Sequence, residues 1–299
     1  MAQGDSTDDK CHQEDLFQEL FGDDISERKT GDDSSSICSS SKTDERMDGP
    51  TPDGQSPDDT VSSDLVSKII RIQLGQPALP DRRAVESPAP GFVICRQALG
   101  SELCELYFEW LNTKYFCNTP YLQSSDKERS GAQRDLRRVN QGMHFGALSD
   151  NLTPLGFLAN ACLNIGQLLP KDLVGSRRTD GPFDQAIINL YDPGEGIGDH
   201  IDLLRFEDGI VGYSFGSSAT LRLRRLSSEA EIDVATQYAR EPVGGGVDDV
   251  LVKINAGDVY AMAGEARFRW THGFPAQIDG GANVRGRRIS VTLRRLQIA

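Results

Sequence analysis

The chain has 299 residues, 26% of them charged, and a net charge of −13 at pH 7. That charge sits in residues 1–64, which hold eighteen acidic and five basic side chains and leave 27 of each sign in residues 65–299. No window is apolar enough for a membrane span and no apolar N-terminal stretch reads as a secretion signal. The six cysteines (11, 38, 95, 104, 117 and 162) lack metal-ligand spacing and fit reduced thiols in a cytoplasmic or nuclear compartment.

Residues 1–64, rich in Ser, Asp, Gly and Pro, are expected to form a disordered acidic tail. Within it Leu16, Phe17, Leu20 and Phe21 keep helical spacing amid acid. They read either as a fluctuating cluster or as a short motif that folds into a partner's groove. Residues 65–87 read as a linker, an apolar segment followed by a Pro-rich one. Residues 88–299 suffice for one domain with a sizeable core, expected to be monomeric.

A strand is predicted over 91–95. Ser101 then caps a helix with Leu103, Leu106, Tyr107, Trp110 and Leu111 on one stripe. The polar stretch 123–142 holds Lys127, Arg129, Arg134, Arg137 and Arg138, which could track a phosphate backbone. Asp126, Glu128 and Asp135 among them fit a merely solvated loop. A second helix is predicted from Thr153-Pro154, presenting Leu155, Leu158, Cys162, Ile165 and Leu169 before Pro170 stops it. Strands follow over 185–191, 209–216, 219–226, 249–254, 257–262 and 287–296, with residues 227–247 an exposed insertion around Gly244-Gly245-Gly246. Helices first and short strands later predict an α+β fold, a double-stranded β-helix (jelly-roll) with helices on one outer face.

The chain has four histidines, and His12 lies in the acidic tail. His200 and Asp202, two residues apart, point to one side of an extended chain. With His272 they make the ligand set of a 2-His-1-carboxylate triad, which holds Fe(II) on one octahedral face and leaves three positions open. Alone, a His-x-Asp tripeptide is more often a solvated loop. In RISVTLR, Ile289, Val291 and Leu293 face one way, and Arg288, Ser290, Thr292 and Arg294 the other. The two guanidinium tips then stand about 6–8 Å apart, a fit for a five-carbon diacid such as 2-oxoglutarate. By itself that strand reads equally as an edge strand with a solvated basic face. Asn189 and Tyr191 share a face of the strand feeding the His200 loop, and can donate to a bound carboxylate. Pro193, Gly194, Gly196 and Gly198 supply the turn between.

The series NLY, HID, GEARFRWTHG and RISVTLR resembles the AlkB family of Fe(II)/2-oxoglutarate-dependent dioxygenases over residues 88–299. GEGIGDHID and GEARFRWTHG look most like the oxygenase domain of the eukaryotic AlkB homologue that hydroxylates a modified wobble uridine in tRNA. The resemblance implies a dioxygenase using Fe(II), 2-oxoglutarate and O2 for oxidative hydroxylation or demethylation. It implies iron on His200, Asp202 and His272, and the far carboxylate of 2-oxoglutarate on Arg288, Asn189 and Tyr191. Arg294 would sit near the carboxylate next to iron. Leu204 stands where the bacterial enzyme has a base-recognising aspartate, which argues against bacterial-type repair specificity. Ser290 stands where that enzyme has an asparagine in its arginine strand, a slight change in co-substrate contacts. The chain has neither the RNA-recognition module nor the methyltransferase domain of the tRNA enzyme.

The implied substrate is a nucleic acid, tRNA or other RNA or alkylated DNA, met through Arg134, Arg137 and Arg138. With residues 65–299 at zero net charge, attraction for phosphate would have to come from such a local patch. The rival readings are an AlkB-type oxygenase acting on a protein side chain, and a non-catalytic jelly-roll scaffold.

Overall fold

A computed structural model describes residues 57–75, 85–116, 140–165, 167–170, 181–228, 231–232, 249–275 and 286–297. The apolar island at 16–21 and the basic residues Arg134, Arg137 and Arg138 lie outside them. The elements, in chain order, are α1 (Pro57–Gly75), β1 (Val85–Ala89), β2 (Phe92–Cys95), α2 (Ser101–Phe116), β3 (Asn140–Phe145), α3 (Pro154–Ala161), β4 (Gln185–Tyr191), β5 (Ile197–His200), β6 (Ile210–Gly216), β7 (Ala219–Arg225), β8 (Val250–Ile254), β9 (Val259–Met262), α4 (Glu265–Phe268), β10 (Trp270–Phe274) and β11 (Arg288–Arg294). Every pairing is antiparallel. A seven-stranded sheet runs β1-β2-β9-β6-β11-β4-β3, and a four-stranded sheet runs β5-β10-β7-β8. This is the expected double-stranded β-helix with flanking helices.

Period-2 patterning decides which side of the large sheet meets which partner. Ile188, Leu190, Tyr213, Phe215, Ile289, Val291 and Leu293 join α1, α2 and α3 in one apolar cluster. Phe92, Ile94, Ile210, Tyr260 and Met262 face the other way, into a second cluster with Leu221, Leu223, Val252, Ile254, Trp270 and Phe274 of the small sheet. Because both faces of the large sheet are covered, all seven residues of β4 are buried. β11 lies between β4 and β6 in the middle of the sheet, so the reading of it as a solvated edge strand is excluded.

Of the stretch expected as a linker, 65–87, residues 65–75 are helical and 85–87 open β1. Residues 57–64, expected in the tail, and 65–75 form α1, whose Leu65 and Ile69 are buried one turn apart against the core. Gln73 Nε2 donates to the Tyr107 hydroxyl (2.5 Å), which donates to the Pro154 carbonyl (2.8 Å), tying α1 to α2 and α3. Leu65, Ile69 and Gln73 recur every four residues, the spacing of one helical face; composition alone hid it. Ile69→Ala is therefore expected to cost about 2–4 kcal/mol of unfolding free energy, read from urea denaturation of the full chain. An unchanged midpoint would mean that α1 rests on the core without stabilising it.

The helix predicted from Thr153 caps as expected, with the Thr153 hydroxyl accepting from Gly156 N, but ends at Ala161 and passes into a single 3-10 turn, Cys162–Asn164. β1, β3, β5, α4 and β10 were not predicted. Each is short; β3, β5 and β10 are set by pairing with strands distant in sequence, whereas β1 pairs with the adjacent β2 and α4 leads directly into β10. Among the described residues no helix is long and apolar enough to cross a membrane.

Candidate metal and co-substrate site

The site is assembled where the two sheets face each other. After β4, Asp192-Pro193-Gly194-Glu195 turns tightly, with Gly194 at φ 81° and Glu195 N donating to Asp192 O (3.0 Å). The chain returns as β5, which pairs with β10 so that His200 and His272 stand directly opposite. Their ring centroids are 4.3 Å apart. Asp202 follows beyond the end of β5, and ligand atoms of His200, Asp202 and His272 all lie within 4.8 Å of one another. The outward side of this pairing is braced by a bidentate, buried Asp199–Arg222 pair, Nη2 donating to Oδ2 (2.7 Å) and Nε to Oδ1 (3.2 Å). Gly273 has no room for a side chain there, since a Cβ would meet Asp199 Oδ1 at 2.5 Å.

The three side chains are prepared differently. His200 Nδ1 lies 2.9 Å from Gly198 O; a carbonyl only accepts, so Nδ1 is the donor and Nε2 is the ring nitrogen left to ligate a cation. His272 is buried and its basicity is depressed to about 3, first by burial and then by the neighbouring His200, so its imidazole is neutral. Burial alone would raise the Asp202 carboxyl. Arg294, His272, His200 and Arg267 outweigh it and hold the carboxyl well below the usual carboxylate range. Arg294 Nη1 donates to Asp202 Oδ1 at 2.9 Å, while Oδ2 has no hydrogen-bond partner and lies 3.8 Å from His272 Nε2. Two imidazoles and a carboxylate with one oxygen tied back form a donor set suited to one divalent cation.

The cavity continues from these ligands along β4, β9 and β11. Tyr191, Asn189 and Ser290 line it, and the β4–β11 register sets Ser290 opposite Asn189 and Arg288 opposite Tyr191. Arg288 is fully buried, its guanidinium carbon 4.0 Å from the Phe274 ring centroid and 5.2 Å from that of Tyr191. Its Nε donates to Ser214 Oγ (2.9 Å), whereas Nη1 and Nη2 have no hydrogen-bond partner. A buried guanidinium with its fork unsatisfied fits a carboxylate. Arg294 is fixed between two partners, donating to Gln185 Oε1 (2.9 Å) and Asp202, and covers the Phe206 ring at 3.9 Å.

Seven of the eight expected site residues, His200, Asp202, His272, Asn189, Tyr191, Ser290 and Arg294, line one cavity, and Arg288 packs against two of its lining rings, Phe274 and Tyr191. Sequence reasoning missed Tyr260, Met262 and Phe274, which line the cavity, and Gln185 and Ser214, which hold the two arginines. Gln185 was within reach, since it shares the period-2 phase of Asn189 and Tyr191 on one strand. Ser214 was not, because only the β6–β11 register sets it beside Arg288.

A jelly-roll carrying such a set belongs to a defined class of oxygenases, and the sequence model of the 2OG-Fe(II) oxygenase superfamily matches residues 125–294. Mouse tRNA (carboxymethyluridine(34)-5-O)-methyltransferase ALKBH8 is 26% identical over 224 residues, covering 73% of this chain and 30% of that protein. The N6-methyladenosine RNA demethylase ALKBH of Cryphonectria parasitica is 32% identical over 116 residues, 37% of this chain and 49% of that one. Among solved structures, OsALKBH1 aligns over 70% of this chain and 100% of its own, at 14% identity and a TM-score of 0.41. The chain belongs to the 2OG-Fe(II) oxygenase superfamily, and the relatives it resembles include AlkB homologues. That superfamily implies Fe(II), 2-oxoglutarate and O2, and the cluster of His200, Asp202 and His272 is compatible with such an iron. The chain spans less than half of the length of these curated relatives.

Proposed function

We propose that this chain oxidises a base of RNA, with iron on His200, Asp202 and His272 and 2-oxoglutarate along β4 and β11. Bound there, Fe(II) with 2-oxoglutarate and O2 supplies oxidation of a substrate C–H bond, giving a hydroxylated carbon, or loss of the carbon when it is an N-methyl. The observation that carries the metal assignment is the one-sided Asp202: Arg294 occupies Oδ1, and Oδ2 is turned to the histidines. The Nδ1 contact of His200 with Gly198 O orients the ring with its Nε2 lone pair available to a cation. Arg288 would grip the far carboxylate, with Tyr191 and Asn189 beside it and the Phe274 ring excluding water from the pair. Arg294 both fixes Asp202 and stands beside the near carboxylate. Ile187, Ile197 and Met262 keep the cavity walls apolar, so water is a poor competitor for the oxidising centre.

The RNA assignment rests on the relatives, two of which are named for acting on tRNA and on N6-methyladenosine in RNA. An RNA substrate implies action in the cytoplasm or nucleus. The test incubates the iron-loaded full chain and 2-oxoglutarate with a tRNA anticodon stem-loop, a methyladenosine-containing RNA, an alkylated DNA and lysine peptides. Mass spectrometry should find an RNA heavier by one oxygen or lighter by one methylene. RNA affinity should also fall steeply with salt, and replacing Arg134, Arg137 and Arg138 with alanine should flatten that slope. Product on the peptides alone, or salt-independent binding, would move the substrate to protein.

A further inference from the structure

The loop that carries Asp202 and the segment that leads into His272 are far apart in sequence, yet they are fastened to each other. The fastening runs in both directions. From one side comes Arg267, on α4, only 2% exposed and among the largest fully buried side chains of the protein. Its Nη1 donates to the Asp202 carbonyl at 2.8 Å, and its Nη2 to the carbonyls of Leu203 (2.7 Å) and Phe206 (3.2 Å). From the other side the Asp208 carboxylate accepts from Gly264 N at 2.9 and 3.0 Å, at the residue that opens α4 with φ 52°. Three backbone acceptors gathered on one guanidinium hold residues 202–206 in a single curve. These carbonyls belong to no helix or strand; apart from a turn bond from Phe206 N to Leu203 O (3.2 Å), the loop's backbone is tied to the C-terminal segment by the isolated bridge of Phe206 with Leu296. A fork of fixed planar geometry can span them; a point charge cannot.

Four residues after α4 comes His272, in β10 opposite His200. Arg267 therefore joins the carboxylate ligand's backbone to the strand of the second histidine. We propose that Arg267 is a positioning residue of the metal site: it fixes the backbone of Asp202 relative to β10, so that the carboxylate and the two imidazoles are held at coordinating distance before the cation arrives. Arg294 holds the Asp202 side chain and Arg267 holds its main chain, so the ligand is restrained at both ends. This assignment rests on the reading of His200, Asp202 and His272 as the metal ligands. Supporting contacts of this kind typically change metal affinity by about ten- to a hundredfold.

The experiment titrates the full chain with Co(II), whose visible absorption reports both affinity and coordination geometry, without 2-oxoglutarate or turnover. Arg267→Met removes the donors at similar volume; Arg267→Lys keeps a cation of similar reach. Arg267→Met is expected to weaken Co(II) binding at least tenfold and to alter the band shape, and Arg267→Lys to fall between it and the parent. Each is measured well below its own midpoint of thermal unfolding, so that a general loss of stability does not enter. Should Arg267→Met not fold, Arg267→Lys decides alone: weaker Co(II) binding with an altered spectrum supports the proposal. Parental affinity and spectrum in either folded variant overturns it. His200→Ala in the same titration keeps the two readings apart. If His200→Ala also binds like the parent, the metal assignment itself falls; if it loses Co(II) while Arg267→Met does not, only the role of Arg267 falls.

Discussion

Arg288→Met is expected to weaken 2-oxoglutarate binding severely while leaving the unliganded protein as stable as the parent, or more so. The guanidinium is fully buried, its Nε donates to Ser214, its fork lies against Tyr191 without a well-formed hydrogen bond, and burial pushes its affinity for a proton down. An under-satisfied buried cation costs stability, and replacing it by an apolar side chain of similar volume is often neutral or stabilising. The same unsatisfied fork is what a carboxylate would complete, so its loss falls on the ligand. The expected penalty is about 2–4 kcal/mol, or roughly 30- to 1,000-fold in Kd. Arg288→Lys should recover only part, because one ammonium cannot reproduce two parallel bonds. The measurement is the rise in Tm produced by 2-oxoglutarate in the Mn(II)-loaded protein, which near 100 times Kd corresponds to about 2.7 kcal/mol of stabilisation. A parental ligand-induced rise in Arg288→Met would mean that the co-substrate lies elsewhere.

Asp202→Ala is expected to remove metal binding and to destabilise the metal-free protein by about 3–5 kcal/mol, because it strands the buried charge of Arg294. Asp202→Asn keeps an oxygen for Arg294 Nη1 and should cost less stability, yet still lose the metal. The two residues facing each other across the site also separate by pH in the metal-free protein. The folded-state pKa of Asp202 is depressed, so its contribution is complete above the unfolded value of about 3.9 and is lost as pH falls further toward the folded value. His272 is held neutral down to about 3, whereas the unfolded chain protonates it near 6.5. Stability should therefore decline from about pH 6.5 downward, by up to roughly 1.4 kcal/mol per pH unit, and His272→Gln should remove that slope. Thermal unfolding from pH 7 to 4 in the presence of a chelator reads the histidine window. A flat profile in the parent protein would show that His272 is not buried as a neutral base.

Much of the chemistry was legible in the chain because period-2 alternation is a local property. Once RISVTLR is a strand, Arg288, Ser290 and Arg294 must share a face, and Asn189 and Tyr191 likewise share one on QAIINLY. His200 and Asp202 follow the same rule at the end of β5. What alternation cannot say is which face is covered. A two-arginine strand is a basic edge or a co-substrate floor depending only on its neighbours, and β4 and β6 on either side, with the small sheet above, made it the floor. Likewise the role of Arg294 changed with the fold. From sequence it was a second carboxylate grip, and in space it is first the partner of Asp202.

The linker boundary was misplaced because composition averages over a segment, whereas burial selects single residues. Ser, Lys and Arg between Leu65, Ile69 and Gln73 made α1 look like a transition out of a polar tail, yet one helical face packs on the core. Strand β10 was missed for the opposite reason. WTHGF is too short to display a period, and its conformation is fixed by pairing with β5 and β7, contacts of long sequence separation. The residue types of the site were thus set by the sequence alone: two imidazoles, a carboxylate, two arginines and their phase on the strands. Their convergence was decided by tertiary pairing, since the β5–β10 register sets His200 against His272, and Arg267, Asp208 and Arg294 hold the Asp202 loop beside them.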